Sequence, residues 1–240
     1  MEFNIDKCCV LHLGINNKHH DYTMLNKDSI RIPLKKTTCE RDLGVLVDDK
    51  LKFSLHCNAQ VNKANRMLGL IRRTVINLNP VIFKRLFIAL VRPHLEYCGI
   101  ISHPRLICDK KAYENVLRRS CKLIPGLKTL TYDQRLRELQ IPSMQFRFIR
   151  GDLIEVYKWF NVYKCQPKLF DSTNRTITRG HHFKLKKEYC RLDIRKDFFT
   201  MRVIDKWNSL PNSTVCAKTL NEFKNKLDNH MKNEMFEYIE

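Results

Sequence analysis

Two adjacent carboxylates, Asp48 and Asp49, are the residues of this sequence that come nearest to a catalytic metal motif. Two-metal nucleotidyl transfer needs carboxylates that converge on a pair of cations about 4 Å apart. The pair follows the apolar run Leu43–Val47 and precedes Lys50, which is the position of a turn. Asp is common in turns because its side chain binds nearby backbone N–H groups. The sequence therefore predicts a turn at this pair, and we expect no catalytic residue and no cofactor in this chain.

Four residues have part of the spacing of a zinc site, namely His94, Cys98, His103 and Cys108. The spacing Cys98-x4-His103-x4-Cys108 matches the latter part of a zinc knuckle, and zinc prefers four N or S ligands. The leading Cys-x2-Cys of a knuckle is missing, and the first two residues fall in a predicted helix. Such a spacing also arises by chance with ten cysteines and nine histidines. We therefore predict no metal site and keep the four residues as weak candidates.

Positive charge is concentrated on several predicted helices. Lys111, Arg118 and Lys122 are separated by seven and four residues, so on a helix they fall within about 20° of a common line. Asn115 lies beside them, and nearby helices carry Arg72, Arg73, Lys84, Arg85 and Arg92. This pattern predicts contacts with the phosphates of a nucleic acid and no reading of base sequence. The alternative is a solvated helix face, which most charge runs form.

The whole chain is strongly basic. Its 240 residues include Lys+Arg 44 and Asp+Glu 25, which gives a formal net charge of +19. A surplus of this size repels itself unless an anion neutralises it, and polyphosphate is the commonest such partner. An acidic membrane surface is the competing interpretation. No apolar run of about 18 residues is present, so the sequence predicts no membrane span.

The cysteines and the first residues indicate an intracellular protein. The residues Met1–Asp6 contain acids and no apolar run, so we expect no secretory signal. The ten cysteines are scattered singly apart from Cys8 and Cys9. The nucleus or cytoplasm would keep them reduced, and we expect them to be small buried apolar side chains.

The apolar periodicity changes along the chain from strand-like to helix-like. Residues 1–53 contain short apolar runs between turn residues, which predicts a small antiparallel sheet. After residue 54, apolar residues recur at spacings of three and four, which predicts helices. The predicted apolar faces are Val61, Ala64, Leu68, Ile71 and Val75 on the first helix, and Phe83, Leu86, Phe87, Leu90 and Val91 on the second. The predicted class is α+β, mostly α-helical, with a small N-terminal antiparallel sheet, a helical bundle and a helical C-terminal tail. The predicted divisions are 1–53 for the β region, 54–164 for the helical domain, 165–180 for a linker and 181–240 for the tail.

Local signals predict where the helices begin and bend. Predicted N-caps are Ser54, Asp109, Thr131, Ser143 and Thr219, since these side chains accept hydrogen bonds from N–H groups of a first turn. Pro80 suits a first turn, whereas Pro93 lies inside an apolar pattern and predicts a kink or break.

Four parts of the sequence occur in the order found in one protein family. They are Phe3–Cys8 with Val10–Gly14, then Asp42–Phe53, then Lys63–Arg66 with Leu90–Tyr97, and finally Arg150–Lys158 with Val203–Pro211. They resemble the C-terminal third of reverse transcriptases from jockey-like non-LTR retrotransposons. The matching parts are the strands after the catalytic Asp-Asp motif, the end of the palm beside the primer grip, the thumb helices and the tail.

The resemblance implies the palm edge (1–53), the thumb (54–164) and the tail of an RNA-directed DNA polymerase. Lys7 would match the lysine proposed as proton donor to pyrophosphate, and Leu43–Val47 would support the primer terminus. The expected partner is RNA or an RNA/DNA template–primer duplex. The family's catalytic aspartates, which bind Mg²⁺ in the parent enzyme, precede the matched region. We therefore expect that Lys7 lacks its partners and that this chain is not an enzyme.

Three functions are compatible with these observations. The preferred one is a truncated reverse transcriptase that binds nucleic acid without catalysis. The second is a non-catalytic nucleic-acid-binding adaptor, and the third is a helical module that contacts proteins through its tail. The sequence leaves the oligomeric state open.

Overall fold

The fold belongs to the predicted class, α+β and mostly helical, in a computed structural model that describes residues 3–163, 170 and 181–238. The strands are β1 (Cys9–Leu11), β2 (Thr23–Leu25), β3 (Arg31–Pro33), β4 (Lys35–Thr37), β5 (Cys39–Asp42) and β6 (Val45–Asp48). The first helices are α1 (Ser54–Thr74), α2 (Pro80–Leu86), α3 (Arg92–Glu96), α4 (Ile107–Cys121), α5 (Tyr132–Leu139) and α6 (Met144–Asn161). The tail contains α7 (Asp193–Lys196), α8 (Phe199–Arg202), α9 (Ile204–Ser209), α10 (Asn212–Val215) and α11 (Leu220–His230).

Apart from Phe170, the predicted linker 165–180 lies outside the described residues. Within the described helices, none combines the length and the apolar character needed to cross a bilayer.

The N-terminal strands form three separate pairs instead of one sheet. The β2–β3 and β5–β6 pairs are antiparallel, as predicted, but β1 and β4 are parallel. The parallel pair arises because the β2–β3 hairpin lies between β1 and β4 in the chain, so β4 returns in the direction of β1. Among the described residues up to Phe53, only His12 and Val45 are buried. This region therefore has little core of its own.

The turn after β6 is built around Asp48, as predicted. Its carboxylate accepts hydrogen bonds from the backbone N–H groups of Lys50 (3.1 Å), Lys52 (3.1 Å) and Phe53 (2.7 Å). These bonds lead the chain directly into α1, so Asp48 has a structural role at the junction of strands and helices.

A first hydrophobic core is formed by the helices from α1 through α5 together with the start of α6. The apolar face of α1 is buried as predicted, at Val61, Ala64, Leu68 and Ile71. The next helices contribute residues four apart, namely Phe83, Phe87, Val91 and Leu95. Helix α1 therefore packs against the π-helical turn, α3 and α4, while α5 packs against α2 and α4.

The predicted break at Pro93 is replaced by a π-helical turn at Phe87–Val91. The N–H of Arg92 donates to the carbonyl of Phe87, one residue further back than in an α-helix. Pro93 has no N–H to donate, and the wider turn accommodates this without breaking the helix. The extra residue also moves Leu90, predicted on the apolar face, to a position that is 40% exposed.

Three predicted N-caps are confirmed, and two are wrong for one shared reason. Thr131, Ser143 and Thr219 each accept a hydrogen bond from the N–H three residues later. Ser54 instead donates its hydroxyl to the carboxylate of Asp109, with 2.7 Å between Oγ and Oδ2. Because Ser54 and Asp109 form a hydrogen bond with each other, neither side chain caps its own helix.

A second core lies between α6 and the tail. Met144 and Phe148 belong to the first core, whereas the opposite side of α6 packs in the second. Tyr157 stacks on Phe223 of α11 with 4.3 Å between ring centroids, and Trp207 of α9 is completely buried. Helix α6 therefore connects the two cores.

Candidate nucleic-acid interface

Helices α1 and α4 lie side by side and run in the same direction. Ser54 contacts Asp109 at the start of both helices. Further along, the guanidinium of Arg119 donates to the side-chain oxygen of Asn65 at 3.3 Å. The first contact joins residues 55 apart and the second joins residues 54 apart, so the two helices advance in register.

The outward sides of these two helices carry no carboxylate. Helix α1 contains no Asp or Glu, and the two acids of α4, Asp109 and Glu114, are both buried. We define the α1/α4 surface by ten of the polar residues that remain outside: Asn58, Asn62, Asn65, Arg66, Arg72 and Arg73 on α1, and Lys111, Asn115, Arg119 and Lys122 on α4 or its end. All are exposed except Asn65, which is half-buried. The charges of this surface are therefore all positive.

The buried acid Glu114 connects three helices. Its carboxylate accepts hydrogen bonds from the Tyr132 hydroxyl, from the N–H of Met144 at 3.0 Å and from the N–H of Gln145. Burial raises the pKa of Glu114, while these donors and nearby Arg118 favour its charged form. Glu114 is thus unable to neutralise the outer face of α4.

Arg118, predicted as part of the basic stripe, is half-buried beside this cluster. Its guanidinium lies 4.8 Å from the ring centroid of Tyr132, which is cation–π contact distance. The structure therefore separates Arg118 from the exposed residues Lys111, Asn115 and Lys122 that were predicted with it.

Three further predicted residues lie away from the α1/α4 surface. Arg92 is half-buried and its Nε is 3.7 Å from Glu96, whose carboxylate also binds Arg147 through two hydrogen bonds. Lys84 and Arg85 lie on α2, which packs against the π-helical turn and α5. The structure thus brings together Arg72, Arg73, Lys111, Asn115 and Lys122 from the predicted set.

Five residues of the α1/α4 surface were not predicted: Arg66, Arg119 and the three asparagines of α1. Asn58, Asn62 and Asn65 repeat at spacings of four and three in a segment without acids, and that signal is visible in the sequence. Amide side chains commonly bind phosphate oxygens. Arg119 joins this surface through its hydrogen bond to Asn65 of α1. No local sequence pattern predicts a contact between residues so far apart in the chain.

The β5–β6 hairpin presents an exposed leucine at its tip. Leu43 and Gly44 form a two-residue turn with φ of 45° and 84°, as a type I′ turn requires. Leu43 is 86% exposed, and its carbonyl accepts a hydrogen bond of 2.7 Å from the Tyr97 hydroxyl. A Cβ at Gly44 would lie 2.7 Å from the same hydroxyl, so glycine is required there. The helical part thus fixes the hairpin tip.

The weak zinc candidates are not assembled into a site. Cys108 is exposed on α4, whereas the ring of His103 packs edge-on against Phe148 at 5.2 Å. In residues 3–163, 170 and 181–238, no three His, Cys, Asp or Glu side chains are grouped closely enough to hold a metal ion.

The structure also places Lys7 and the cysteines. Lys7 is exposed at the end of a 3-10 turn. Of the nine described cysteines, Cys57 and Cys121 are buried as expected, but Cys9, Cys108 and Cys216 are exposed, so the expectation was wrong for these three. Burial raises the pKa of both buried thiols to about 12.

His103 is neutral although its Nδ1 lies 3.9 Å from a carboxylate oxygen of Asp152. Burial lowers the pKa of His103 to about 3, and the nearby charges of Arg202 and Lys110 act in the same direction. Asp152 is bound instead by Arg202, with two hydrogen bonds of 2.8 Å. His103 and Asp152 therefore do not form an ion pair near neutral pH.

This pKa predicts an acid-dependent loss of stability that His103→Leu should reduce. Below the ordinary pKa of 6.5, the unfolded chain binds a proton at His103 that the folded chain excludes down to about pH 3. The free energy of unfolding should therefore fall by up to about 1.4 kcal/mol per pH unit from this residue alone. Urea unfolding at pH 7, 5.5 and 4.5 measures the difference between the two proteins. Equal pH dependence in both would contradict the assignment.

Comparison of the chain with models of protein families finds no match, and comparisons with curated proteins and with solved structures find none either.

Proposed function

We propose that this chain is the palm edge, thumb and tail of a non-LTR retrotransposon reverse transcriptase. In this proposal it binds RNA or an RNA/DNA template–primer duplex through the α1/α4 surface. The observation that carries the proposal is the absence of exposed carboxylates on both of these helices. Phosphates are the anions that best match such a surface, because each neutralised phosphate also releases counterions.

The pairing of charges differs between this surface and the tail. In the tail, exposed lysines bind carboxylates in four pairs: Lys187–Asp205, Lys196–Asp193, Lys206–Glu234 and Lys226–Glu222. On the α1/α4 surface, Arg72, Arg73 and Lys122 have no ion pair within the described part of the chain, and Arg119 bonds only to neutral oxygens. Because Lys218 and Lys232 of the tail also have no ion pair within the described part of the chain, the support for a ligand-binding role is the clustering of Arg72, Arg73 and Lys122 on or beside two helices without exposed carboxylates.

The position of the hairpin before α1 supports this proposal. Helix α1 begins directly after the Asp48 turn, so the fixed hairpin tip at Leu43 precedes the first helix of the proposed thumb. In the family, the corresponding segment supports the primer terminus. We propose the same use for Leu43–Val47. Lys7, at the end of a 3-10 turn, precedes this segment in the chain.

We further propose that these residues do not catalyse nucleotidyl transfer by themselves. The parent family uses Mg²⁺ held by carboxylates. The adjacent pair here does not fit that role, because Asp48 already accepts three backbone N–H groups. The proposal places the protein in the nucleus or cytoplasm.

The test is a filter-binding titration of the full chain against an RNA/DNA primer–template, with incorporation of deoxynucleotides as a second readout. We expect binding that weakens steeply between 50 and 200 mM salt, on the order of tenfold or more for a few phosphate contacts, without incorporation. A protein-interaction module would show no binding of this kind. Incorporation by the purified chain would overturn the non-catalytic part of the proposal.

A further inference from the structure

A cavity of about 320 Å³ lies between α4 and α6, beside the α1/α4 surface. Its apolar walls include Tyr113, Met144, Phe148 and Ile149, and its polar groups include His103, Lys110 and the buried Glu114. The volume lies at the low end of the roughly 300–1,000 Å³ of small-molecule sites, and such sites combine apolar walls with few polar groups.

The walls present aromatic rings held at fixed angles. Phe148 contacts His103 at 5.2 Å and Tyr113 at 5.3 Å between ring centroids, both edge to face. Both Phe148 and Tyr113 are buried in the first core, so their positions do not depend on a ligand. Rings in fixed positions suit a flat, aromatic occupant.

One polar group in the cavity wall lacks a partner. The Nδ1 atom of His103 is buried and has no hydrogen-bond partner among the described residues. A neutral imidazole offers one donor and one acceptor. Because the His103 ring lines the cavity, it is the group to which we assign a hydrogen bond with a bound molecule.

Helix α4 contributes to both the cavity and the α1/α4 surface. Ile107, Lys110 and Tyr113 line the cavity, while Lys111 belongs to the surface. Consecutive helical residues point about 100° apart, so the two sites occupy neighbouring sides of one helix. A strand whose phosphates lie on the surface can therefore place one of its bases in the cavity.

We propose that this cavity binds the base of an unpaired nucleotide in the strand held by the α1/α4 surface. The inference rests on the proposed function. The flat rings supply stacking, His103 supplies a hydrogen bond to the edge of the base, and Lys110 at the side of the cavity supplies charge near the attached phosphate. The chain should therefore prefer a duplex with a single-stranded overhang to a blunt duplex of equal length.

Saturation-transfer NMR with free nucleosides on the full 240-residue chain tests the cavity separately from phosphate binding. The blocking variant is Ile107→Trp, because this side chain lines the cavity and is 69% exposed, so a larger residue fits without disturbing the core. The matched control is Ile76→Trp, at a loop position that is 95% exposed. His103→Leu removes the ring nitrogens, and its folding is checked by unfolding at pH 7.

We expect nucleoside signals with the wild type and with Ile76→Trp, and a loss of about tenfold in affinity with Ile107→Trp, the scale of one base–aromatic stack. His103→Leu should weaken nucleosides while leaving indole, an apolar aromatic probe, unchanged. Nucleosides that do not bind, or that bind Ile107→Trp as well as the wild type, would overturn the inference. Blunt-duplex binding, measured on the same proteins, reports the proposed function independently and should be unchanged in Ile107→Trp.

Discussion

Reversing two charges of the α1/α4 surface, with Arg119→Glu and Lys122→Glu together, should weaken binding of a template–primer duplex by at least about tenfold near 0.1 M salt. The slope of log affinity against log salt should also become shallower by roughly 1.4–1.8, because each lost phosphate contact contributes about 0.7–0.9. Filter binding at four or more salt concentrations measures both quantities.

The control for this experiment is a change of equal charge elsewhere. Lys218 and Lys232 are exposed in the tail, and changing both to Glu alters the net charge by the same amount. If binding depends on total charge alone, the two double variants will lose affinity equally. That result would contradict the assignment of phosphate contacts to α1 and α4.

Arg118 is deliberately left unchanged in this test. It lies beside Glu114 and over the ring of Tyr132, so reversing its charge would place a second carboxylate next to a buried one. If an Arg118 variant lost binding, damage to the fold could therefore not be distinguished from loss of a phosphate contact. Arg119 and Lys122 are exposed and avoid this problem.

Replacing Glu114 by Ala should have the largest effect on stability of any single substitution proposed for this chain. The change leaves the Tyr132 hydroxyl and the N–H groups of Met144 and Gln145 without their acceptor. Each unsatisfied buried group costs about 1–3 kcal/mol, and loss of one member of a buried charged cluster costs about 3–5 kcal/mol. We expect a loss of about 3–5 kcal/mol in the free energy of unfolding, measured with urea.

The matched variant is Glu114→Gln, which keeps the shape and one acceptor oxygen. It should lose clearly less stability than the alanine variant, because one oxygen continues to accept hydrogen bonds from the neighbouring helices. Glu138 of α5 is exposed, and Glu138→Ala provides a control for removal of a carboxylate as such. A stability of Glu114→Ala equal to that of the wild type would show that this cluster does not hold the three helices together.

Local sequence patterns predicted those features of the fold that depend on local contacts. The caps at Thr131, Ser143 and Thr219 and the turn at Asp48 are made within five residues of each side chain. The caps at Ser54 and Asp109 were wrong because these two side chains bind each other across 55 residues. The parallel β1–β4 pair was missed for a similar reason, since its register depends on a hairpin elsewhere in the chain.

The candidate site shows the same division. Helical spacing placed Lys111, Asn115 and Lys122 on one exposed line, and the structure agrees. The helical spacing also predicted Arg118 on this line. In the structure Arg118 is half-buried against the ring of Tyr132 from α5, so it does not belong to the exposed surface. Helices α1 and α4 are far apart in the sequence and become neighbours only through packing. The contact between Asn65 and Arg119 could therefore not be predicted from local sequence patterns.

The most direct test of the central claim is to map where the nucleic acid contacts the chain. Photo-crosslinking of a primer–template that carries 4-thiouridine, followed by mass spectrometry of the linked peptides, gives this map. We predict crosslinks within residues 54–74 and 107–122. Crosslinks confined to residues 181–238 would contradict the account, because they would place the nucleic acid on the tail instead of on the α1/α4 surface.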